Sequence, residues 1–399
     1  MVTYPSDWTE SKLLDHVDLV QGLTYTPENV KPSGTLVLRS SNIQNGALSL
    51  LDNVYVNVNV SEEKLVQPGD ILVCVRNGSS VLIGKSCILP RLSNTTFGAF
   101  MSVLRGDTTG FFAKLFESDI VQEQVRGRSN ATINQITKKD FQSIEVTVPS
   151  GPEQKDIVQT LGCFDAYVSD LAELIEKKRG IREGALEDLM SGRTRIEGFT
   201  EEWGLYHLSD ILVPYNGLSG KSGKDFGRGE AKYITYLSVF NLPIVEHAEG
   251  LVKVEEKEKQ NLVKQGDILF TLSSETLEEV GMASVYMGRE DVYLNSFCFG
   301  ARPKVDLNSI FIAFYLRSHS MREKIIQQGQ GSTRYNISSS RLFQIQVNMP
   351  NLTEQQAIAD TLTAMDEEIE ALEIERDKMI QIREGAMDDL LTGRVCLSV

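Results

Sequence analysis

Little in this chain equips it for covalent chemistry. Cysteine is scarce and odd in number: Cys74, Cys87, Cys163, Cys298 and Cys396, never two in a C-x-x-C pair. That pattern excludes a disulfide framework and a zinc site and reads as free thiols in a reducing, cytoplasmic setting. The four histidines are isolated from one another and from every cysteine. No Pro-Pro dipeptide exists, so an Asn/Asp-Pro-Pro-aromatic methyltransferase motif is absent, and no G-x-G-x-x-G follows a strand. "GSSVLIGKS" (78–86) has five residues between its glycines where a phosphate loop needs four, and reads as strand and turn. No apolar run approaches the roughly 18–20 residues that span a bilayer, so no membrane partner is expected. The opening "MVTYPSDWTESKLLDH" lacks a basic stretch followed by an apolar one, which argues against export. The expectation is a protein without catalysis, cofactor or metal of its own.

Positive charge is also short, with a net charge of −15. Its distribution matters more than its sum. Lys plus Arg against Asp plus Glu is 13 against 15 over residues 1–151 and 16 against 19 over 197–350, but 4 against 12 over 351–399. The acidity is concentrated at the C-terminal end, and the two large segments are free to carry a local basic face.

What the chain has is a phrase written twice. "IREGALEDLMSGR" (181–193) returns as "IREGAMDDLLTGR" (382–394), and the match extends ungapped back to "IEVTVPSGPEQKD" and "IQVNMPNLTEQQA". Pro149 meets Pro350, Asp165 meets Asp366 and Arg182 meets Arg383, which marks a duplicated unit. In the first copy Ile157, Leu161, Phe164, Val168, Leu171 and Ile175 recur at spacings of four and three. Ile358, Leu362, Met365, Ile369 and Leu372 repeat this in the second. A period of 3.5 is the seam by which two helices wind about each other. Each helix ends at a glycine, Gly192 or Gly393, suited to a left-handed cap. A helix from Glu153 to Leu189 is about 55 Å long.

The segments before the helices diverge, yet landmarks recur in order. "SDW" (6–8) answers "EEW" (201–203), and "QPGDILV" (67–73) answers "KQGDILF" (264–270). A helix over 111–127 answers one over 310–331, and "VYVNVNV" (54–60) alternates as a half-buried strand. The predicted layout is an α+β domain (1–151), a long spacer helix (152–198), a second α+β domain (199–351) and a C-terminal spacer helix (352–399). Burying both seams against each other makes the helices an antiparallel coiled coil with internal pseudo-two-fold symmetry. Two separated, oppositely oriented domains suit duplex DNA, whose turns recur every roughly 34–36 Å.

On these features the chain resembles the specificity subunits of type I restriction–modification systems. The resemblance covers the whole layout and is carried by the two helix endings and the "GDIL" of each domain. It implies two target-recognition domains, each reading half of a bipartite asymmetric DNA site, with the coiled coil as ruler. It also implies two methyltransferase (modification) subunits and an ATP-dependent restriction subunit as partners. S-adenosylmethionine then belongs to the modification subunit and ATP to the restriction subunit. The competing reading is a protein–protein scaffold on an acidic spacer.

Base and phosphate contacts need Arg, Lys, Asn, Gln, Ser or Thr on loops. In the first domain the candidates are Arg39, Ser41 and Asn42, then Arg76, Asn77 and Ser79, then Arg126, Arg128 and Asn130. In the second they are Lys221, Lys224 and Arg228 in a Gly-rich loop, and Ser273 and Ser274. "QQGQGSTRYN" adds Gln328, Gln330, Ser332, Thr333, Arg334 and Tyr335. Gly184 and Gly385 sit inside helices, where glycine costs roughly 1 kcal/mol relative to alanine. Close approach of the crossing helices is one explanation and a partner's docking face the other. Arg182, Glu183, Arg383 and Glu384 beside them are candidates for partner contact, or for ion pairs within the coiled coil.

Overall fold

The two stretches with a 3.5-residue seam are single helices, Gly151–Ser191 and Leu352–Leu391, in a computed structural model that describes residues 4–128, 134–255 and 257–397. Every seam position is buried or half-buried: Ile157, Leu161, Leu171, Ile175, Ile358 and Leu362 fully, the others in part. Burial of that stripe, and not local propensity, holds helices of this length in place. Both end as expected, at Gly192 (φ 71°) and Gly393 (φ 67°), because a left-handed residue without a Cβ lets the chain turn off the last carbonyls. No helix among the described residues is long and apolar enough to cross a membrane.

The chain divides into two compact units, residues 1–172 with 374–399, and residues 173–373. Each long helix gives one half to each unit. In the first unit the beginning of the first helix lies along the end of the second. There Arg383 pairs with Asp165, Lys114 Nζ reaches Asp165 at 2.7 Å, and the Tyr167 hydroxyl donates to Glu375 at 2.6 Å. In the second unit the roles are exchanged: Arg182 forms a two-pronged bond to Asp366 at 2.8 and 2.9 Å, and Lys178 reaches Glu368 at 2.5 Å. The pairing is antiparallel, and the duplicated Arg and Asp of the sequence bind across copies.

The recurring tryptophans close the same contact. A Cβ added at Gly393 would lie 3.4 Å from the Trp8 ring, and one at Gly192 would lie 3.6 Å from Trp203. An indole thus lies under each helix end, joined at Gly393 by the closer Pro5 ring. Beside it, Thr9–Lys12 pairs antiparallel with Glu145–Val148 in the first unit, and Gly204–His207 with Gln346–Met349 in the second.

The main sheet of the first unit runs in the order Asp18–Gln21, Met101–Arg105, Ile71–Cys74, Ser86–Ile88, all antiparallel. That of the second runs Leu212–Asn216, Cys298–Pro303, Ile268–Thr271, Ala283–Tyr286, with Ile244–Val245 added at the edge. Each carries the "ILVC" or "ILFT" of the recurring GDIL element as a central strand, buried along its length. The alternation over 54–60 is strand only at Val54–Val56, between Val30–Lys31 on one side and residues 35–37 on the other, with one further rung from Asn57 N–H to the Asn29 carbonyl.

The helix expected over 111–127 is two, Phe111–Glu117 and Asp119–Arg128, and that over 310–331 is also two, Ser309–Arg317 and His319–Ile326. The break falls at Ser118 and at Ser318, both extended and buried, each hydroxyl bonded to the carbonyl three residues back (2.6 and 2.7 Å). A serine hydroxyl that takes over a local acceptor competes with the helical ladder.

Candidate nucleic-acid interface

The heads are braced from within by one device. In the first, the buried Asp70 accepts from Arg105 Nε at 2.8 Å and Nη2 at 2.7 Å, and from Gln67 N–H at 2.8 Å. In the second, Asp267 accepts from Arg302 Nε at 3.0 Å and Nη2 at 2.7 Å, and from Lys264 N–H at 2.9 Å. Each arginine also reaches a loop carbonyl, of Leu65 or Leu262. This is why GDIL recurs: its aspartate anchors the loop before one central strand to the arginine of the strand beside it. A buried carboxylate requires such partners.

The structure sorts the candidates by what their side chains already do. Asn42 is buried, its amide spent on Arg39 N–H at 2.8 Å and on the carbonyls of Ser49 and Asp52. Arg39 pairs with Asp52 at 2.7 Å, and Ser41 lines a cleft of about 710 Å³ with it. Arg128 is tied to Ser143 and to the Gln124 carbonyl, and Arg126 pairs with Asp119. Asn130 lies outside the described residues. Asn77 joins Ser40 at 3.1 Å and holds the exposed Ser79 by its N–H.

In the second head the Lys221 side chain is buried against Glu258 at 2.5 Å, so of the three cations in the Gly-rich loop Lys224 and Arg228 face solvent. Ser273 and Ser274 are buried, pairing as a short strand with Tyr335–Asn336. A ribbon closed by reciprocal bonds between Gln330 and Asn336 (2.9 and 2.8 Å) presents Ser332, Thr333 and Arg334 to solvent, with Gln328 and Tyr335 half-buried beneath. Gln330 carbonyl oxygen, in the amide orientation that satisfies both groups, accepts from Arg341 at 2.8 Å. The structure therefore places Asn42, Arg128, Lys221, Ser273 and Ser274 in the fabric of the heads and leaves Arg76, Lys224, Arg228 and Arg334 outward.

Two residues that sequence reasoning passed over stand among these cations. Phe100 and Phe297, in matched positions just before the strands Met101–Arg105 and Cys298–Pro303, are 56% and 57% exposed. The Arg76 guanidinium lies 5.1 Å from the Phe100 ring centre, and that of Arg334 lies 6.0 Å from Phe297. A phenylalanine beside an apolar strand reads as core, so no sequence signal marks it.

On the long helices Arg182 and Arg383 are engaged in the ion pairs described above, while Glu183 and Glu384 face solvent. Gly184 and Gly385 correct one expectation. A Cβ built at either meets no other atom within 4 Å, so close approach of the crossing helices is not why glycine stands there. One turn back on each helix an isoleucine, Ile181 or Ile382, is exposed. Among the described residues no group of three or more His, Cys, Asp or Glu is placed to hold a metal ion.

Two mixed α/β heads, each braced by an Asp–Arg pair and clasped by halves of a duplicated antiparallel helix pair, define a two-headed recognition fold. The chain belongs to the type I restriction modification DNA specificity family, whose model matches residues 5–178 and 200–380. It is similar to the type I restriction enzyme EcoKI specificity subunit of Escherichia coli K12, 27% identical over 303 residues. That alignment covers 70% of this chain but 64% of the relative. The StySPI specificity subunit of Salmonella potsdam is 24% identical over 333 residues, covering 78% of this chain and 70% of that one. Among solved structures, the HsdS subunit of Thermoanaerobacter tengcongensis shares the fold with a TM-score of 0.54 at 14% identity, covering 98% of both chains. A chain from a study of complex assembly and conformational transition of the type I R-M system matches with a TM-score of 0.66 at 14% identity, covering 98% of this chain and 100% of that one.

Proposed function

We propose that this chain is the DNA-specificity subunit of a type I restriction–modification complex. The head of residues 1–151 reads one half of a bipartite site and the head of 199–351 reads the other. The helices of 152–198 and 352–399 fix the spacing between them. The observation that carries this reading is the exchange of Arg and Asp between the duplicated helices. It clasps each head in the same way, while the loops the heads carry have diverged. Unlike heads on a like frame recognise unlike sequences at a constant separation.

The chain supplies no catalysis in this reading. Two modification subunits bring S-adenosylmethionine, and a restriction subunit brings ATP. Their docking faces are the exposed Ile181–Gly184 and Ile382–Gly385 turns. A glycine exposed in a helix interior costs stability and packs against nothing in this chain, so its use lies with a molecule that approaches the backbone. The repetition of the patch on both helices matches two copies of one partner.

The test is co-expression with a modification subunit followed by mapping of methylated adenines. A bipartite asymmetric site is expected. Matched insertions of four residues in both helices, near Leu171 and its counterpart Leu372, should lengthen the gap between the half-sites. Methylation at the old spacing with undiminished efficiency contradicts the ruler.

A further inference from the structure

We propose that Arg76 on Phe100, and Arg334 on Phe297, form the guanine-reading tip of each head. The inference rests on the DNA reading above and assigns the residues that carry it.

The two phenylalanines are equivalent. Phe100 carbonyl oxygen accepts from Val75 N–H at 3.0 Å, and Phe297 carbonyl oxygen accepts from Leu272 N–H at 2.8 Å. Each thus sits where the central GDIL strand runs out. Both rings are more than half exposed, whereas Phe97, Phe111, Phe116, Phe270 and Phe299 of the same heads are fully buried. Descent from one duplicated ancestor accounts for the phenylalanine in both places.

It does not account for the arginines. Beyond each central strand the chain forms one short antiparallel ribbon: Arg76 opposite Gln135 in the first head, Ser273 opposite Asn336 in the second. Arg76 lies on the leading strand of that ribbon, in the place of Ser273. Arg334 lies on the returning side, two residues before Asn336. A guanidinium is therefore brought over the same ring from opposite strands in the two heads. Two independent routes to one arrangement point to a contact that both heads need.

The arrangement suits a base edge. A cation over an aromatic face gains about 0.5–1 kcal/mol at an exposed site, which biases the side chain toward the ring while its N–H edges stay open. Among the described residues neither guanidinium has a carboxylate or carbonyl partner, in contrast to Arg39, Arg105, Arg128 and Arg302. A free planar fork fits the O6 and N7 of guanine in the major groove, and an adjacent aromatic edge fits a thymine methyl. A phosphate would accept the same cation without needing the ring or its orientation.

The experiment uses the co-expressed complex with R76A, R76K, F100A, R334A, R334K and F297A, and reads methylation rate and binding across single-base variants of the mapped site. R76A is expected to erase the preference for one G·C pair in one half-site, lowering the rate on the cognate site about 10- to 100-fold while leaving variants at that pair almost unchanged. R76K loses the same preference because an ammonium has no fork, and F100A loses part of it. R334A, R334K and F297A do this in the other half-site only. A uniform loss on all sequences, restored by lysine and erased by salt, would assign the cations to phosphate and overturn the proposal, as would unchanged preferences in R76A and R334A. Should the wild-type complex itself select no bipartite site, the DNA reading fails first and the tip with it.

Discussion

The two heads share a frame and disagree on how to fill it. At one register position of the main sheet the first head sets Val20 opposite Val103, and the second sets Tyr215 opposite Gly300. The tyrosine fits only because its partner is glycine, since a Cβ at residue 300 would run into the ring. In exchange its hydroxyl donates to Asp267 at 2.7 Å, an extra donor to the buried carboxylate that Asp70 lacks. Burial first, then the neighbouring Asp267, pushes the Tyr215 hydroxyl well above its ordinary range and keeps it a donor. The lesson is that the Asp–Arg brace constrains the heads, while the cross-strand pair beside it is free to drift so long as volume is conserved.

The largest effect follows from that extra donor. R105A strands Asp70 in the core and should cost the first head about 3–5 kcal/mol. R302A leaves Asp267 with Tyr215, and Arg302 is itself more exposed than Arg105 (44% against 16%), so the second head should lose about 1–3 kcal/mol. Amide exchange of the Ile71–Cys74 and Ile268–Thr271 strands reads the two separately. Equal losses would break the comparison.

Next in size is the register pair. G300V should destabilise the second head by about 1–3 kcal/mol through overpacking, and adding Y215V should recover most of it, since Val opposite Val is the first head's own solution. Additive losses in a double-mutant cycle would show that the two positions are not coupled.

A smaller change has the opposite sign. G184A and G385A should each raise thermal stability of the free chain by about 1 kcal/mol and weaken capture of the modification subunit in a pull-down. Loss of stability would restore a packing role for these glycines.

The smallest effect is a pH dependence of the first helix clasp. Burial by itself would raise the Asp165 carboxyl, but bonds from Lys114 and Arg383 outweigh it and hold the group below its ordinary value. A depressed carboxylate contributes stability above its unfolded pKa and loses it as pH falls through the folded one. The first clasp should therefore loosen below pH of about 4, and D165N should remove that acid step from the melting curve. An acid step that survives in D165N would assign it to another group.

What the sequence displayed was whatever is periodic or local: the helix seam, the capping glycines, the Trp and GDIL landmarks. The brace escaped because Arg105 and Arg302 lie far along the chain from their aspartates, on strands with no shared pattern. The broken helices escaped because a single serine, Ser118 or Ser318, interrupts the helix without disturbing the apolar periodicity. In the polar loops, Asn42, Arg128 and Lys221 look like free side chains in sequence and are hydrogen-bonded within the fold, because partners such as Ser143 and Glu258 lie on other segments that no local pattern reveals. Phe100 and Phe297 were missed for the converse reason, apolar residues that the fold leaves outside.

Exchanging residues 1–151 for those of a relative with a different target, then mapping adenine methylation by the reassembled complex, tests modular recognition most directly. One half of the site should change, with the other half and the gap preserved. A change in both halves, or in neither, would contradict the assignment of one half-site to each head.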